Sequence, residues 1–119
     1  MRKVILDTNF FMAQARDKAD IYSIEGKLYT LESCINELKR IAKERTRRGM
    51  HARVALEIMK GRDIEIIRNQ RNADKTLMEY SEKGYIIATN DSAIIKELKE
   101  LGRNVIRIKQ KKIMKEEYE

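Results

Sequence analysis

Five short apolar runs alternate along the chain with longer segments of helical periodicity. The runs are rich in β-branched and aromatic residues, which predicts strands at residues 3–6, 27–31, 63–67, 85–89 and 104–108. Strands that alternate with helices are joined by crossovers, which give a mainly parallel sheet with helices on both faces. We therefore predict an α/β fold, a three-layer α/β/α sandwich around a central, mainly parallel, five-stranded sheet.

Helical periodicity and end signals place the helices between these strands. The predicted helices cover residues 32–45, 49–61, 72–84 and 90–102. In the first of them, Ile35, Leu38 and Ile41 share one stripe, the spacing of an amphipathic helix. Asn72 and Asn90 are suitable N-caps for the last two helices.

The size and composition of the chain predict one domain without linkers. At 119 residues the chain can bury one hydrophobic core, and it has no proline and only 5 glycines. We expect the domain to span residues 1–112 and the charged tail, residues 113–119, to be mobile.

The charge and the cysteine content indicate a compartment and a partner. A net charge of +7 favours a polyanionic partner, with nucleic acid first and an anionic membrane surface second. The single cysteine, Cys34, cannot form an internal disulfide, which fits a reducing, cytoplasmic setting. No apolar stretch approaches the roughly 20 residues that span a bilayer, and Asp7 interrupts the apolar run near the start. Neither a membrane span nor a signal peptide is expected.

The stretch VILDTN places an acidic residue, Asp7, at the end of an apolar strand. Ligands of open α/β sheets bind at the carboxyl ends of the strands, so Asp7 is a candidate site residue. Asp7 and the two residues that follow are also good helix N-caps, and this segment can simply begin the next helix. Both interpretations stay open for Asp7 taken alone.

Three further acidic residues are predicted at the same edge of the sheet. Asp91 follows the fourth strand, Asp74 begins the helix after the third strand, and Glu37 lies about one turn into the helix after the second. Carboxylates brought together repel one another, and a hard cation such as Mg²⁺ or Mn²⁺ offsets that repulsion. Such an ion can activate water and stabilise the charge that builds on a phosphate. The pattern predicts metal-assisted phosphodiester hydrolysis.

The sequence lacks the motifs and residues that other catalytic chemistries require. There is no G-x-x-x-x-G-K-[ST] loop and no G-x-G-x-x-G, so a phosphate cradle for ATP or a dinucleotide is missing. The single histidine, His51, lies in a basic helix, where an exposed or RNA-facing role is expected, and metal-free cleavage by paired histidines is excluded. Cys34 is interpreted as a small packed thiol rather than a nucleophile.

The acidic segments and their flanks resemble the four motifs of a PIN-domain ribonuclease: VILDTNFF, SCINELKRIAK, NADKTLM and IIATNDSAIIKEL. Within that superfamily, the basic segment after ELKRIAKE and the ending LGRNVIRIKQKK are most similar to archaeal relatives of the PIN endonuclease of the small-subunit processome. VapC-type toxins are a neighbouring subgroup with the same four motifs. The resemblance implies a parallel sheet between helices, with an acidic pocket at the strand ends.

The resemblance also implies roles for individual residues. The catalytic and metal-binding set would be Asp7, Glu37, Asp74 and Asp91, supported by Asn9 and Thr89. Relatives often carry a second acid in the third motif, whereas Lys75 follows Asp74 here and offers a contact to phosphate instead. The connection over residues 13–26 is short, so the sequence does not predict which residues form the substrate entrance.

A dense basic segment follows the second acidic motif. It contains seven basic residues and one acidic residue, Glu44. The basic residues are Lys39, Arg40, Lys43, Arg45, Arg47, Arg48 and Arg53. We predict that this segment and Lys75 bind the RNA backbone, with affinity that depends strongly on salt, although a soluble charged helix face is the simpler alternative.

The combined prediction is a Mg²⁺- or Mn²⁺-dependent endoribonuclease that leaves a 5′-phosphate and a 3′-hydroxyl, as the resemblance implies. Its expected role is ribosomal RNA processing, with ribosomal RNA or its precursor as partner. The alternatives are a VapC-type toxin with an antitoxin partner, and a non-catalytic RNA-binding assembly factor. A homodimer is possible, since dimers are common among similar proteins.

Overall fold

Six strands form one sheet in the computed structural model of the chain, which describes residues 2–109 and 111–116. The strands are β1 Lys3–Leu6, β2 Lys27–Leu31, β3 Ile64–Ile67, β4 Ile86–Ala88, β5 Val105–Lys109 and β6 Lys112–Glu116. Their order is β3-β2-β1-β4-β5-β6; the first five are parallel and β6 pairs antiparallel with β5. The predicted α/β/α fold class is confirmed, and the sheet has one strand more than the five predicted.

The additional strand, β6, lies in the segment expected to be a charged tail. Its sequence KIMKE has too few apolar residues to show the alternation by which strands are predicted. It forms because a tight turn at Lys111, whose backbone is left-handed with φ 64°, brings it back along β5. The domain boundary at residue 112 stays a prediction, and residues 117–119 of the predicted tail lie outside the described residues.

Five α-helices cover the sheet in the described part of the chain. They are α1 Thr8–Asp17, α2 Glu32–Ile41, α3 Arg47–Lys60, α4 Ala73–Glu82 and α5 Ser92–Glu100, with a short 3-10 helix at Ile21–Ser23. The helix predicted to begin at Gly49 begins at Arg47 instead, because the Thr46 hydroxyl caps it by accepting from the Gly49 amide at 3.0 Å. Across residues 2–109 and 111–116, no helix has the length and apolar character to cross a membrane.

Alternate residues of the central strands pack into two separate cores. On β1, Val4 and Leu6 pack on one face with Phe10 of α1, while Ile5 packs on the other face with Leu77 of α4. This alternation follows from the two-residue period of a strand. It explains why the strands read as unbroken apolar runs: both faces of each central strand are covered by helices.

The strand order places a crevice at one end of the central strands. From β1 the chain moves to β2 and β3 on one side and returns to β4 and β5 on the other, so the order reverses between β1 and β4. In open α/β sheets, ligands bind outside the carboxyl ends of the strands at this reversal. The residues that follow β1 and β4 are therefore the first candidates for a site.

Candidate active site

Asp7 lies at the carboxyl end of β1, beside the point where the strand order reverses. It is the N-cap of α1, and its Oδ1 accepts a hydrogen bond of 2.8 Å from the Thr8 amide. Only 7% of the residue is exposed. A cap needs no such burial, since most capping residues lie at the surface. Asp7 thus caps the helix, as one interpretation expected, and also presents a buried carboxylate at the predicted edge.

The Thr89 hydroxyl joins the ends of β1 and β4. It lies 3.0 Å from Oδ2 of Asp7 and 3.1 Å from Oδ1 of Asn9, and it accepts from the Asp91 amide at 3.1 Å. Asn9 Oδ1 also accepts from the Asn90 amide at 2.9 Å. The structure therefore brings four sequence-predicted residues, Asp7, Asn9, Thr89 and Asp91, into one hydrogen-bonded group.

A buried thiol completes the surroundings of Asp7. The Sγ atom of Cys34, in the first turn of α2, lies 3.6 Å from Oδ1 of Asp7. Cys34 is 1% exposed, as expected of a packed thiol. Burial, with the Asp7 charge as a second cause, raises the pKa of the Cys34 thiol to about 11. Cys34 therefore stays a neutral thiol that can donate to the carboxylate at neutral pH.

The environment of Asp7 disfavours its negative charge. Burial is the largest cause and raises the pKa of the Asp7 carboxyl above its usual range, and the nearby negative charge of Asp74 raises the pKa further. Hydrogen bonds from Thr8, Thr89 and Cys34 act in the opposite direction. The fold thus holds Asp7 where a cation, by pairing with the carboxylate, would relieve an unfavourable charge.

Asp74 lies in the first turn of α4, and its position is fixed by the loop before it. In that loop, the Asn69 side chain accepts from the Ser33 amide at 3.1 Å and donates to the Ser33 hydroxyl at 2.8 Å. Asn72 caps α4 by accepting from the Lys75 amide at 2.9 Å. The start of α4 is thus tied to the first turn of α2, next to Asp7.

A shallow groove of about 470 Å³ begins at Asp74 and runs along α4 toward α5. Its described lining includes the exposed residues Lys75 and Glu79. Lys75 is therefore accessible beside Asp74, as its predicted phosphate contact requires.

Asp91 acts as the N-cap of α5. Its Oδ1 accepts from the amides of Ala93 and Ile94, at 2.9 and 3.2 Å. Both bonds use the same oxygen, so Oδ2 keeps its capacity to accept or to coordinate. The structural role of Asp91 as a cap and the predicted role at the site are compatible in this geometry.

Glu37 is the acid that the structure places least tightly. It is exposed on α2 and has no hydrogen bond or ion pair among the described residues. It lies one turn beyond Cys34 on the same helix. Its predicted role stays a prediction.

The acids fit a hard cation in their chemistry, although the described side chains do not form a closed cage. Within residues 2–109 and 111–116, no three Asp, Glu, His or Cys side chains lie close enough to one another to hold a metal ion. Mg²⁺ is commonly held by one or two carboxylates, with water and substrate phosphate as its other ligands. The oxygen donors of Asp7 and Asp74 meet that requirement, and Asp91 joins the hydrogen-bonded group through its backbone amide.

The basic segment divides into two groups in the structure. Arg53 donates through Nη1 to the carbonyls of Ala42 and Glu44, at 2.7 and 3.1 Å, and Arg48 pairs with Glu44 at 3.8 Å. These two side chains hold the turn between α2 and α3.

The remaining members of the basic segment have no ion pair among the described residues and are exposed: Lys39, Arg40, Lys43, Arg45 and Arg47. In the part of the chain that the structure describes, no ion pair joins the segment to the four acids, and its predicted RNA contacts stay predictions.

Sequence reasoning missed three residues that shape the site. The sequence predicts only packing for Cys34, gives no signal for Asn69 and indicates only a helix cap at Asn90. Asn90 instead joins β4 to β5, donating to the Ile108 carbonyl at 3.0 Å and accepting from the Ile108 amide at 2.8 Å. Only the position of Asn90 directly after a strand, beside Asp91, gave a signal that could have identified it.

A comparison with protein families agrees with this geometry. The model of a family described as PIN-like domain matches residues 4–111. No curated protein matches the chain. The matched region contains every residue of the hydrogen-bonded group at the ends of β1 and β4.

Proposed function

Because the chain belongs to the PIN-like domain family, whose members are typically nucleases, we propose that it is a metal-dependent endoribonuclease. The observation that carries the proposal is Asp7: a carboxylate buried at the strand-order reversal, held by Thr89 and within the electrostatic range of Asp74. A buried carboxylate with a raised pKa lowers the stability of the fold, and such groups cluster at functional sites.

In the proposed site, Asp7 and Asp74 would hold Mg²⁺ or Mn²⁺, with Asp91 and Glu37 completing the acidic set. The metal, when bound, supplies charge stabilisation to the phosphate under attack. The chain's own residues do the positioning. Contacts with Thr89 and Cys34 orient the two carboxylate oxygens of Asp7. The hydrogen bond from Asn69 to Ser33 keeps the start of α4, and with it Asp74, at the same edge.

Substrate binding is assigned to the cations around this edge. Lys75 lies beside Asp74 and is exposed, so it can contact a phosphate next to the cleaved one. The exposed members of the basic segment, such as Arg45 and Arg47, would bind the backbone further away. Arg53 and Arg48 are better explained by the turn that they hold.

The biological role that we propose is processing of ribosomal RNA in the cytoplasm, on the strength of the resemblance to archaeal relatives of the processome endonuclease. A VapC-type toxin is the alternative within the same chemistry. The neighbouring gene discriminates them, because a toxin is expected beside a gene for a small antitoxin. Homodimer formation is a further proposal, to be measured as the mass of the protein in solution.

The decisive experiment is cleavage of a labelled structured RNA in Mn²⁺, Mg²⁺ or EDTA by four purified, folded proteins. These are the wild type, Asp7→Asn, Asp91→Asn and Asp63→Asn. Asp63 is an exposed aspartate just before β3, at the opposite edge of the sheet, so Asp63→Asn makes the same chemical change away from the acids. We expect metal-dependent cleavage by the wild type and Asp63→Asn, with 5′-phosphate and 3′-hydroxyl ends, and none by the other two.

A binding measurement accompanies the cleavage assay. Mn²⁺ should raise the unfolding midpoint of the wild type and of Asp63→Asn, and should have little effect on Asp7→Asn. Cleavage that persists in EDTA or in Asp7→Asn would overturn the proposal. Equal RNA binding by all four proteins with no cleavage in any metal would favour the non-catalytic assembly factor.

A further inference from the structure

Three tyrosines lie together at the amino-terminal edge of the sheet, opposite the acids. The Tyr85 ring, just before β4, meets the Tyr29 ring at 5.4 Å and the Tyr80 ring at 4.9 Å between centroids, both edge to face. The chain has only 5 tyrosines and no tryptophan, so this is a marked concentration. Because Tyr85 is held between two rings, its orientation is fixed by packing.

The ammonium group of a lysine lies over each of these rings. The Nζ atom of Lys3 lies 5.2 Å from the Tyr85 centroid, that of Lys27 lies 5.4 Å from Tyr29, and that of Lys83 lies 4.8 Å from Tyr80. We call this surface the tyrosine–lysine face; its members are Lys3, Lys27, Lys83, Tyr29, Tyr80 and Tyr85. The ring contacts restrain the lysines, which lowers the entropy that they would lose on binding a ligand.

The positive charge of the tyrosine–lysine face is only partly neutralised by the protein. Lys27 forms an ion pair of 2.9 Å with Glu65. Lys3 and Lys83, in contrast, are exposed and have no carboxylate partner in the described part of the chain. Two ammonium groups over adjoining rings, neither of them in an ion pair among the described residues, make a local excess of positive charge that an anion would relieve.

A cavity of about 460 Å³ adjoins Lys3 and Lys83. Its described lining contains four basic side chains and no acidic one: Arg2, Lys3, Lys83 and Lys115, with Gly84, Tyr85, Ile86 and Asn104. A Cβ added at Gly84 would meet no atom within 4 Å, so the wall at this point is open. Arg2 pairs with Glu25 at 3.6 Å, so the positive charge without a carboxylate partner beside the cavity is that of Lys3 and Lys83. The cavity is wide enough for a phosphate group, and these two lysines supply the matching charge.

We propose that the tyrosine–lysine face and its cavity form a second binding site for the phosphate backbone of RNA, remote from the cleavage edge. The proposal rests on the proposed function, since it assigns the site to the same substrate. Lys3 and Asp7 lie four residues apart on one chain segment, about 13 Å along the strand. RNA at both edges must therefore pass around the protein, so this site anchors a segment away from the cleaved bond.

The aromatic groups favour RNA over an acidic protein as the occupant. An acidic peptide requires only the cations. The half-buried rings of Tyr80 and Tyr85 beside cations are in addition suited to nucleic acid, whose bases and riboses stack on aromatic surfaces while the cations bind phosphate; Tyr29 is buried and packs against Tyr85.

The test is the affinity of a fluorescently labelled single-stranded RNA as a function of salt, measured in EDTA so that no cleavage can occur. Lys3→Gln/Lys83→Gln is compared with the wild type and with Lys18→Gln/Lys96→Gln, a matched double variant at exposed lysines at the end of α1 and in α5 that form no ion pair among the described residues. Loss of two phosphate contacts should weaken binding roughly 10-fold near 0.1 M salt and make the log–log salt slope shallower by about 1.5. The control should match the wild type.

Two results would overturn the proposal. One is equal affinity and equal salt slope for all three proteins. The other is binding of polyglutamate as tight as that of RNA and equally sensitive to Lys3→Gln/Lys83→Gln, which would assign the site to an acidic protein. Amide shifts of Gly84 and Tyr85 on addition of RNA to isotope-labelled wild type provide an independent readout of the location.

The outcome is separable from that of the proposed function. The tyrosine–lysine face contains none of the acids, so Lys3→Gln/Lys83→Gln should cleave a very short RNA as the wild type does and show a raised KM only for long RNA. If no protein cleaves RNA but the binding difference appears, the proposed function fails and the binding site stands. If cleavage is metal-dependent but binding is unchanged in Lys3→Gln/Lys83→Gln, the reverse holds.

Discussion

The Thr89 hydroxyl lies 3.0 Å from Oδ2 of Asp7, although the two residues are 82 positions apart in the chain. The bond joins the ends of β1 and β4 across the crevice where the strand order reverses. Thr89 is fully buried, so water cannot replace the hydroxyl when it is removed. One hydroxyl therefore links the fold of the central strands to the orientation of the carboxylate.

Thr89→Val keeps the shape of the side chain and removes this hydroxyl. The Asp91 amide loses its acceptor, and the Asp7 carboxylate and the Asn9 amide oxygen lose the one hydroxyl proton that lies within reach of both; we expect a loss of about 1–3 kcal/mol in the free energy of unfolding. Metal-dependent cleavage should fall by roughly 10- to 100-fold, the usual effect of removing a group that orients a metal ligand. Urea denaturation and single-turnover cleavage measure the two effects.

Thr30→Val is the matched control for this prediction. Thr30 is also fully buried, and its hydroxyl donates to the Leu6 carbonyl at 2.7 Å without contacting an acid. It should lower stability while cleavage by the folded protein stays near the wild-type rate. A similar loss of cleavage in both variants would show that Thr89 acts only through the stability of the strands.

Asp7→Asn should separate stability from activity. Burial raises the pKa of the Asp7 carboxyl, so the folded protein holds this proton more tightly than the unfolded chain. The wild type therefore loses stability as the pH rises above the ordinary aspartate value, which is about 3.9. The substituted amide carries no charge to desolvate, so in EDTA at pH 7 the variant should unfold at the same or a higher temperature, while cleavage is lost.

The pH dependence provides the check on the Asp7→Asn prediction. Any gain in the unfolding midpoint should disappear near pH 3, where the Asp7 carboxyl is protonated in both the folded and the unfolded state. A variant that is clearly less stable than the wild type at pH 7 would contradict the assigned cause of the raised pKa.

Cys34 makes a prediction at alkaline pH. The pKa of its thiol is raised from 9.0 to about 11 in the folded protein, mainly by burial. As the pH rises through 9, the unfolded chain loses the thiol proton first, and the free energy of unfolding should fall by about 1 kcal/mol between pH 8 and pH 10 on this account. Because Cys34→Ala lacks the thiol, the stability difference between it and the wild type should shrink by that amount over the same range. A difference that is constant with pH would contradict the assignment.

The strands and acids could be predicted from the sequence because their signals are local. Short runs rich in apolar residues indicated the five parallel strands, an acid directly after the first run indicated Asp7, and an acid two residues after the fourth predicted strand indicated Asp91. Contacts between distant segments left no such signal. Cys34 meets Asp7 and Asn69 meets Ser33 only because α2 begins where β2 ends, beside β1 and the loop after β3.

The structure differs from the sequence prediction at two further places, β6 and the start of α3, and each difference has a local cause. β6 is a charged edge strand that the turn at Lys111 brings against β5, and its Ile113 packs against the core. α3 begins two residues before Gly49 because Thr46 caps it, a signal that the adjoining arginines masked. The tyrosines likewise look scattered along the chain, and only the sheet brings three of them together.

The arginines of the basic segment should differ in function although they look alike in sequence. Arg53 holds the carbonyls of Ala42 and Glu44, so Arg53→Gln should lower the free energy of unfolding by about 1–2 kcal/mol. Arg45 and Arg47 are exposed without such partners among the described residues; Arg45→Gln and Arg47→Gln should leave stability within about 0.5 kcal/mol of the wild type. Arg45→Gln and Arg47→Gln should each instead make the salt slope of RNA binding shallower by about 0.7–0.9.

Urea denaturation measures the stability, and fluorescence anisotropy with labelled RNA measures the salt slope, in the same proteins. If Arg53→Gln changed only the salt slope, or if Arg45→Gln and Arg47→Gln changed only the stability, the division of the segment into a structural and an RNA-binding group would be wrong.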